Sequence, residues 1–263
     1  MTENHAKIYA KSKYYDIAFD FRDVPRECDF LSDIFSDITG RKPASFLELA
    51  AGPAYHTIEF AKGGLQATAM DISPEMVSYG LERAKINRAS IEYVNADMID
   101  FQLPGKYDLA ALLMDSAGYL LDNESVYRHL ISVSDVLNPG GIYVLEMSHP
   151  RDVFGVKEST LSDWKMERGD IKVITRWGDL TDNFDPITQV TDVTVRIKYR
   201  DGANEGEIIN ISKERKFTAN EFKALVDASG CFRIVAMYGA MDKDIPFDND
   251  LKAWRMVSVL QKT

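Results

Sequence analysis

Cysteine is nearly absent: Cys28 and Cys231 are the only two thiols in 263 residues. So wide a separation builds no disulfide framework, and without a CxxC pair there is no zinc site. The four histidines, His5, His56, His129 and His149, are too scattered to suggest a metal either. No apolar run approaches the roughly 20 residues of a membrane helix; the longest lies near 109–114. The first seven residues lack the basic-then-apolar pattern of a secretion signal. A cytoplasmic protein that does not bind membranes is therefore expected. Positive charge is also scarce: 31 Lys and Arg stand against 41 Asp and Glu, a net charge of −10 with no basic run. Such a chain is a poor generic partner for phosphate backbones, and nucleic acid is not expected. The phosphate loop GxxxxGK[ST] and the dinucleotide turn GxGxxG are both missing, so neither a P-loop enzyme nor a nicotinamide enzyme is indicated.

What is present is an alternation of strand and helix patterns. With 45% hydrophobic residues the chain can bury a sizeable core. Phe30, Leu31, Ile34, Phe35 and Ile38 have helical spacing, and Gly40 follows as a stop. Short apolar strands are predicted at 44–50, 67–70, 91–94, 107–114 and 142–147. Helices are predicted at 57–62, from Ser73-Pro74 to about Ile86, and over 124–137, the last stopped by Asn138-Pro139-Gly140-Gly141. This alternation implies right-handed crossovers and a mostly parallel α/β sheet. After Pro150 the period changes to two over 171–177, 189–199 and 207–216, with Val193, Val195, Ile197 and Tyr199 on one face. That is an antiparallel ribbon with one wet face, turned at Asp201-Gly202. A capping box, Thr218 with Glu221, then restarts the alternation with a helix to Ser229 and strands at 232–238 and 254–260.

Ligands of open parallel sheets bind beyond the carboxyl ends of the strands. Four segments fall there. Glu48-Leu49-Ala50-Ala51-Gly52-Pro53-Ala54 has small residues that let a ligand approach the backbone. Asp71, 19 residues after Gly52, is placed to hold both hydroxyls of a ribose. Asn95-Ala96-Asp97-Met98 offers an acid and a thioether to an adenine. Asp115-Ser116 follows the fourth strand, and His149 follows the fifth.

These segments resemble the class I S-adenosylmethionine-dependent methyltransferases of small molecules. FLELAAGPAYHTIEFAKGG (46–64), ATAMDISPEMVSYGLERA (67–84), YVNADMIDF (93–101), YDLAALLMDSAGYLL (107–121) and LNPGGIYVLEM (137–147) occur in the family's order and spacing. The resemblance spans about two thirds of the chain. It implies a Rossmann-like seven-stranded sheet whose last strand runs antiparallel, with S-adenosyl-L-methionine as cofactor. By position, Glu48, Ala50 and Gly52 would lie against the methionine part. Asp71 would hold the ribose, Ile72 would pack on the adenine, and Asp97 would meet the adenine amino group with Met98 alongside. KSKYYDIAFDFRD (11–23) resembles the family's helical arm, so Tyr14, Tyr15 and Arg22 are placed at the cofactor. Arg22 would pair its carboxylate. The family's acidic-x-Gly-x-Gly-x-Gly turn carries alanine here at Ala50 and Ala54.

The expected organisation is one methyltransferase domain over 1–263: an arm at 1–40, a core at 41–150 and 218–263, and a β-rich lid at 151–217. The expected activity is in-line methyl transfer to N or O of a small molecule, with Asp115, His149, Tyr119 and His56 as candidates to help with a proton. The NPPY-type motif that serves amino groups of bases or glutamine is absent. Two other readings stay open: a noncatalytic binding protein on the same fold, and an aminopropyl transferase using the decarboxylated cofactor. The ribbon's exposed edge makes a homodimer an expectation.

Overall fold

The computed structural model describes residues 6–9, 11–154 and 162–263. His5 and residues 155–161 of the expected lid lie outside the described residues. Strands β1 (Ser45–Leu49), β2 (Gln66–Asp71), β3 (Glu92–Asn95), β4 (Tyr107–Leu112), β5 (Leu137–Ser148), β11 (Phe232–Tyr238) and β12 (Arg255–Lys262) form one sheet in the order β11-β12-β5-β4-β1-β2-β3. Strand β12 runs antiparallel to both its neighbours, and the pairs from β5 to β3 are parallel. Every residue of β1 and β4 is buried, as strands covered on both faces require.

Helices α3 (Val24–Thr39), α4 (Tyr55–Lys62), α5 (Pro74–Ile86), α6 (Asn123–Val136) and α8 (Ala219–Ser229) cover the two faces. Their ends are chemically specified. Asp23 caps α3 and Gly40 closes it at φ 72°. Ser73 caps α5 with Pro74 behind it, and Thr218 with Glu221 closes the capping box of α8. One expectation fails here. Asn138-Pro139-Gly140-Gly141 is not a turn between helix and strand: α6 runs directly into β5, and the pairing of β5 with β4 shifts register there to absorb the extra residues.

The chain reverses its lateral direction between β1 and β4, so the crevice beyond their carboxyl ends is the topological switch point. Over it lies the second sheet: β6 (Ser162–Arg168), β7 (Ile171–Trp177), β9 (Val190–Asp201) and β10 (Asn204–Arg215) in the order β10-β9-β7-β6, with the short β8 (Phe184–Asp185) on β9. The ribbon predicted as three strands thus has five. Its inner face does not merely shed water. Val173, Val195 and Ile197 pack on Ile17 and Ala18 of helix α2 (Ser12–Ala18) and on Phe19 just after it, so arm and ribbon share one apolar cluster. Each fully buried side chain of this kind contributes about 1.5–3 kcal/mol.

One carboxylate bolts these parts together. Asp16, fully buried in α2, accepts from the hydroxyls of Tyr55 and Tyr79 and from Arg83 on the core helices, and from Arg168 of β6 at 2.5 Å. Arm, core and ribbon therefore meet at a single side chain.

Candidate active site

The turn after β1 has an unusual backbone. Ala50, Gly52 and Ala54 all adopt positive φ, at 48°, 50° and 59°. Alternate left-handed residues coil the chain tightly and point amides outward. A side chain at Gly52 would meet nothing within 4 Å, so the turn faces open space. The amide of Gly52 donates to Asp71 Oδ2 at 2.8 Å, and the amide of Ser73 donates to Oδ1 at 2.9 Å. Burial raises the Asp71 carboxyl above its usual range while these amides oppose the rise. Each oxygen keeps a lone pair for a further donor.

The next loop is held from below. Asp97 is exposed and accepts from the amide of Ile99. The carbonyl of Met98 accepts from His129 Nδ1 at 2.7 Å, and Tyr143 donates to His129 Nε2 at 2.6 Å. Burial pushes His129 down to about 4, so it stays neutral. Nothing in the sequence pattern marked His129 as the support of the Asp97–Met98 loop. Ile72 stands at the rim, 38% exposed.

Glu48 and Arg22 sit differently from expectation. Glu48 is buried and turned away from the open turn: it accepts from the amide and hydroxyl of Thr57 and from His56 Nδ1. His56 Nε2 meets Glu27, Glu27 meets Arg22, and Arg22 meets Glu146, all at 2.7–2.9 Å. Burial alone would depress His56, but Glu48 and Glu27 hold it up at about 9. This buried ion chain fastens α3, α4 and β5 from behind. Arg22 spends its guanidinium on Glu27 and Glu146 rather than presenting it to a ligand, although its side chain borders the cavity described below. Tyr14 is also corrected: it stacks on Tyr199 with ring centroids 3.9 Å apart and bonds to Asp201, facing the ribbon. Tyr15 is the arm's contribution to the site. It borders the cavity, lies in the field of Asp71, and makes no hydrogen bond among the described residues.

Beyond β4 the backbone is left-handed again, at Met114 (φ 57°) and Asp115 (φ 61°), an arrangement seen where a side chain must be aimed. Asp115 accepts from the amide and hydroxyl of Ser148 and from Lys216 Nζ at 2.9 Å. Lys216 also donates to Glu214 at 2.7 Å. Burial would raise Asp115, but Lys216 and Arg255 hold it low. Glu214, burdened by its own burial and by Asp115 and Asp182, is raised. Tyr119 is half-buried and protonated, its hydroxyl 3.4 Å from that of Tyr9. His149 reaches the cavity but has no nitrogen to spare: Nδ1 accepts from the amide of Arg151, and Nε2 then donates to the carbonyl of Asp248. Both ring nitrogens are thus engaged by the backbone, where the sequence had offered His149 as a base.

Asp115, Lys216 and Tyr15 border a cavity of about 810 Å3 between arm, strand ends and ribbon, walled by Phe19, Trp164 and Trp177. The sequence reading missed Lys216 and both tryptophans because it assigned the ribbon to a lid without asking which residues face inward. The alternation that puts Val193, Val195 and Ile197 inside puts Trp177 and Glu214 there too. Among the described residues no cluster could hold a metal, and no helix is long and apolar enough to cross a membrane.

The open turn, the Asp71 carboxylate with lone pairs left, and the unpaired Tyr15 hydroxyl fit a ligand with a ribose and an amino-acid end, which is what S-adenosylmethionine presents. The comparisons with known proteins agree with that fit. Residues 46–141 match the family model described as "Methyltransferase domain". The chain is 29% identical over 117 residues to the dTDP-3-amino-3,4,6-trideoxy-alpha-D-glucopyranose N,N-dimethyltransferase of Streptomyces venezuelae. That match covers 44% of this chain and 48% of the relative, so the chain spans about half the length of the curated relatives it matches. Among solved structures, an S-adenosylmethionine-dependent methyltransferase from Clostridium acetobutylicum superposes with a TM-score of 0.79 at 16% identity, over 95% of this chain and 96% of that one. S-adenosylmethionine-bound CalS10, an amino pentose methyltransferase from Micromonospora echinaspora, superposes with a TM-score of 0.70 at 18% identity, over 95% and 96%. Residues 46–141 match a methyltransferase domain, and the chain that carries them has the fold of the class I S-adenosylmethionine-dependent methyltransferases.

Proposed function

We propose that this chain transfers a methyl group from S-adenosylmethionine to a small-molecule acceptor, with nitrogen as the nucleophile. The observation that carries the reading is the left-handed 50–54 turn bonded to Asp71 at the switch point, opening beside an enclosed cavity. The names of the matched proteins, an N,N-dimethyltransferase and an amino pentose methyltransferase, support nitrogen over oxygen. Ala50 and Ala54 keep the φ a glycine would adopt, so the alanines leave the turn intact; this supports an enzyme over a noncatalytic binder.

S-adenosylmethionine supplies a sulfonium methyl as the electrophile. The chain supplies alignment, which is worth about 7–11 kcal/mol when reacting atoms are held in line. Asp71 would hold the ribose beside the 50–54 turn, and Asp97 with Ile72 and Met98 would take the adenine. Arm and ribbon border the cavity between them. An amine reacts only as its free base, so one proton must leave first. Asp115, held low, stays ionised and orients the acceptor. Glu214, raised by burial, lies behind Lys216 and does not border the cavity.

Calorimetric titration with S-adenosylhomocysteine, with NAD as control, tests the class. Micromolar binding of the first and none of the second is expected; the reverse pattern, or no binding of either, overturns it. Asp71→Ala should weaken S-adenosylhomocysteine tenfold or more, about 1.4 kcal/mol. Undiminished affinity would remove Asp71 from the ribose.

A further inference from the structure

Two carboxylates flank one lysine at the ribbon end of the cavity, and a third borders the same space. Lys216 Nζ lies between Asp115 at 2.9 Å and Glu214 at 2.7 Å, and the Glu214 side chain is only 4% exposed. Asp182 borders the same cavity and adds its field to that on Glu214. It accepts from the amides of Asp179 and Thr194 and from the Thr194 hydroxyl, and it forms no ion pair among the described residues. Asp182 thus faces the cavity with no partner charge. The cations bordering the cavity are already engaged: Lys216 by Asp115 and Glu214, Arg22 by Glu27 and Glu146, and Arg255 by Glu146 at 3.1 Å. A phosphorylated ligand finds no unengaged cation here among the described residues, whereas an ammonium finds Asp182, a carboxylate that lacks a partner charge.

The remaining wall is aromatic. The rings of Trp164 and Trp177 stack with centroids 6.5 Å apart and 24° between planes. Phe19 meets them edge-on at 5.6 Å and 5.9 Å. Across the mouth Phe154 and Phe184, from core and ribbon, touch at 5.9 Å. Aromatic faces attract an ammonium or its alkylated form and also pack against a ring.

We infer that the acceptor is a phosphate-free cationic amine on an apolar, ring-bearing body, its nitrogen beside Asp182 and Asp115 and its body against Trp164 and Trp177. The inference rests on the methyltransferase reading and narrows its substrate class.

The test uses three probes of one shape: 2-phenylethylamine, 2-phenylethanol and 2-phenylethyl phosphate. Each is titrated into the full chain at pH 7, with and without saturating S-adenosylhomocysteine, and followed by calorimetry and tryptophan fluorescence. The amine should bind at least tenfold tighter than the alcohol, and the phosphate more weakly than the alcohol. Asp182→Asn and Asp115→Asn should each cut the amine's advantage at least threefold while leaving the alcohol's affinity unchanged. The alcohol thereby reports that each variant is folded, and the second variant serves where the first does not fold. An amine that binds no better than the alcohol, or a phosphate that binds best, overturns the inference. If S-adenosylhomocysteine binds while the amine preference is missing, only the substrate class fails. If S-adenosylhomocysteine itself does not bind, the methyltransferase reading fails, and the charge preference is still read from the titrations without it.

Discussion

The two sheets present their ligand surfaces in different ways. The seven-stranded sheet is covered on both faces, and what it offers the crevice is the tightly coiled 50–54 turn and short side chains such as Asp71 and Asp115 at strand ends. The five-stranded sheet and its flanks offer bulk and charge: Trp164, Trp177, Asp182 and Lys216. A backbone cradle depends on turn geometry and tolerates few sequences. A side-chain wall depends on which residue alternation brings inward, so it can change substrate without changing fold. The difference assigns the cofactor to the first sheet and the choice of acceptor to the second.

Asp16 is where this division of labour is most easily broken, because its carboxylate joins the two halves. It is fully buried, with Arg83 of helix α5 and Arg168 of strand β6 on it. Asp16→Asn leaves Arg83 without its counter-charge and Arg168 with Asp20 alone, and breaking a buried pair in this way costs about 3–5 kcal/mol. Chemical denaturation should show that loss, and limited proteolysis should cut the arm near Asp16 faster than in the parent chain. A variant of parent stability whose arm resists protease would mean the apolar cluster of Ile17, Phe19, Val173 and Ile197 holds arm to ribbon unaided.

Two buried histidines sharpen the comparison within the first sheet. His56 lies between carboxylates and is raised to about 9; His129 lies between a carbonyl and a tyrosine and is lowered to about 4. The ordinary value is about 6.5. The stability His56 lends is complete below 6.5 and is lost as pH rises through 9. The stability His129 lends is complete above 6.5 and is lost as pH falls through 4. Their sum should peak near pH 6.5 and fall on both sides, by up to about 3 kcal/mol per histidine. Melting temperature against pH should show that His56→Gln flattens the alkaline limb alone and His129→Gln the acid limb alone. A single variant that flattens both limbs would show that the two sites do not titrate independently.

These residues also mark how far the sequence could be read. The buried parallel strands were legible because a strand wet on neither face is a nearly continuous apolar run, as at Leu109–Leu112 in β4. The cofactor turn was legible because few residues fit it, and the helix caps because Ser73-Pro74 and Thr218 with Glu221 act within one turn of chain. Strand β6 was not legible: its sequence, SDWKMER, alternates, but exposed charges surround its single tryptophan. The Asp16 junction was not legible because its partners lie 39, 63, 67 and 152 residues away. Glu48 was placed correctly at the end of β1 and given the wrong partner, because its position fixes the Cα but not the direction of a carboxylate that finds Thr57 and His56 close by.

The smallest expected effect tests whether the cradle is a matter of backbone alone. A side chain in the left-handed region costs about 1–2 kcal/mol, and glycine costs roughly 0.5–1 kcal/mol in extra unfolded-state freedom. Ala50 is half-buried at φ 48°, so Ala50→Gly should stabilise the chain by up to about 1 kcal/mol. Ala54 has the same kind of φ but is fully buried against Ile58 and Ala69, and removing its methyl forfeits about 0.8 kcal/mol of burial. Its glycine variant should be close to neutral. Ala51, between them, has no positive φ and is 6% exposed, so Ala51→Gly gains nothing and should destabilise by about 1 kcal/mol or more. The ordering Ala50→Gly, Ala54→Gly, Ala51→Gly in denaturation midpoint is what backbone strain dictates. If all three destabilise alike, the methyls outweigh the dihedral angles, and the turn is shaped by packing in the way the ribbon is.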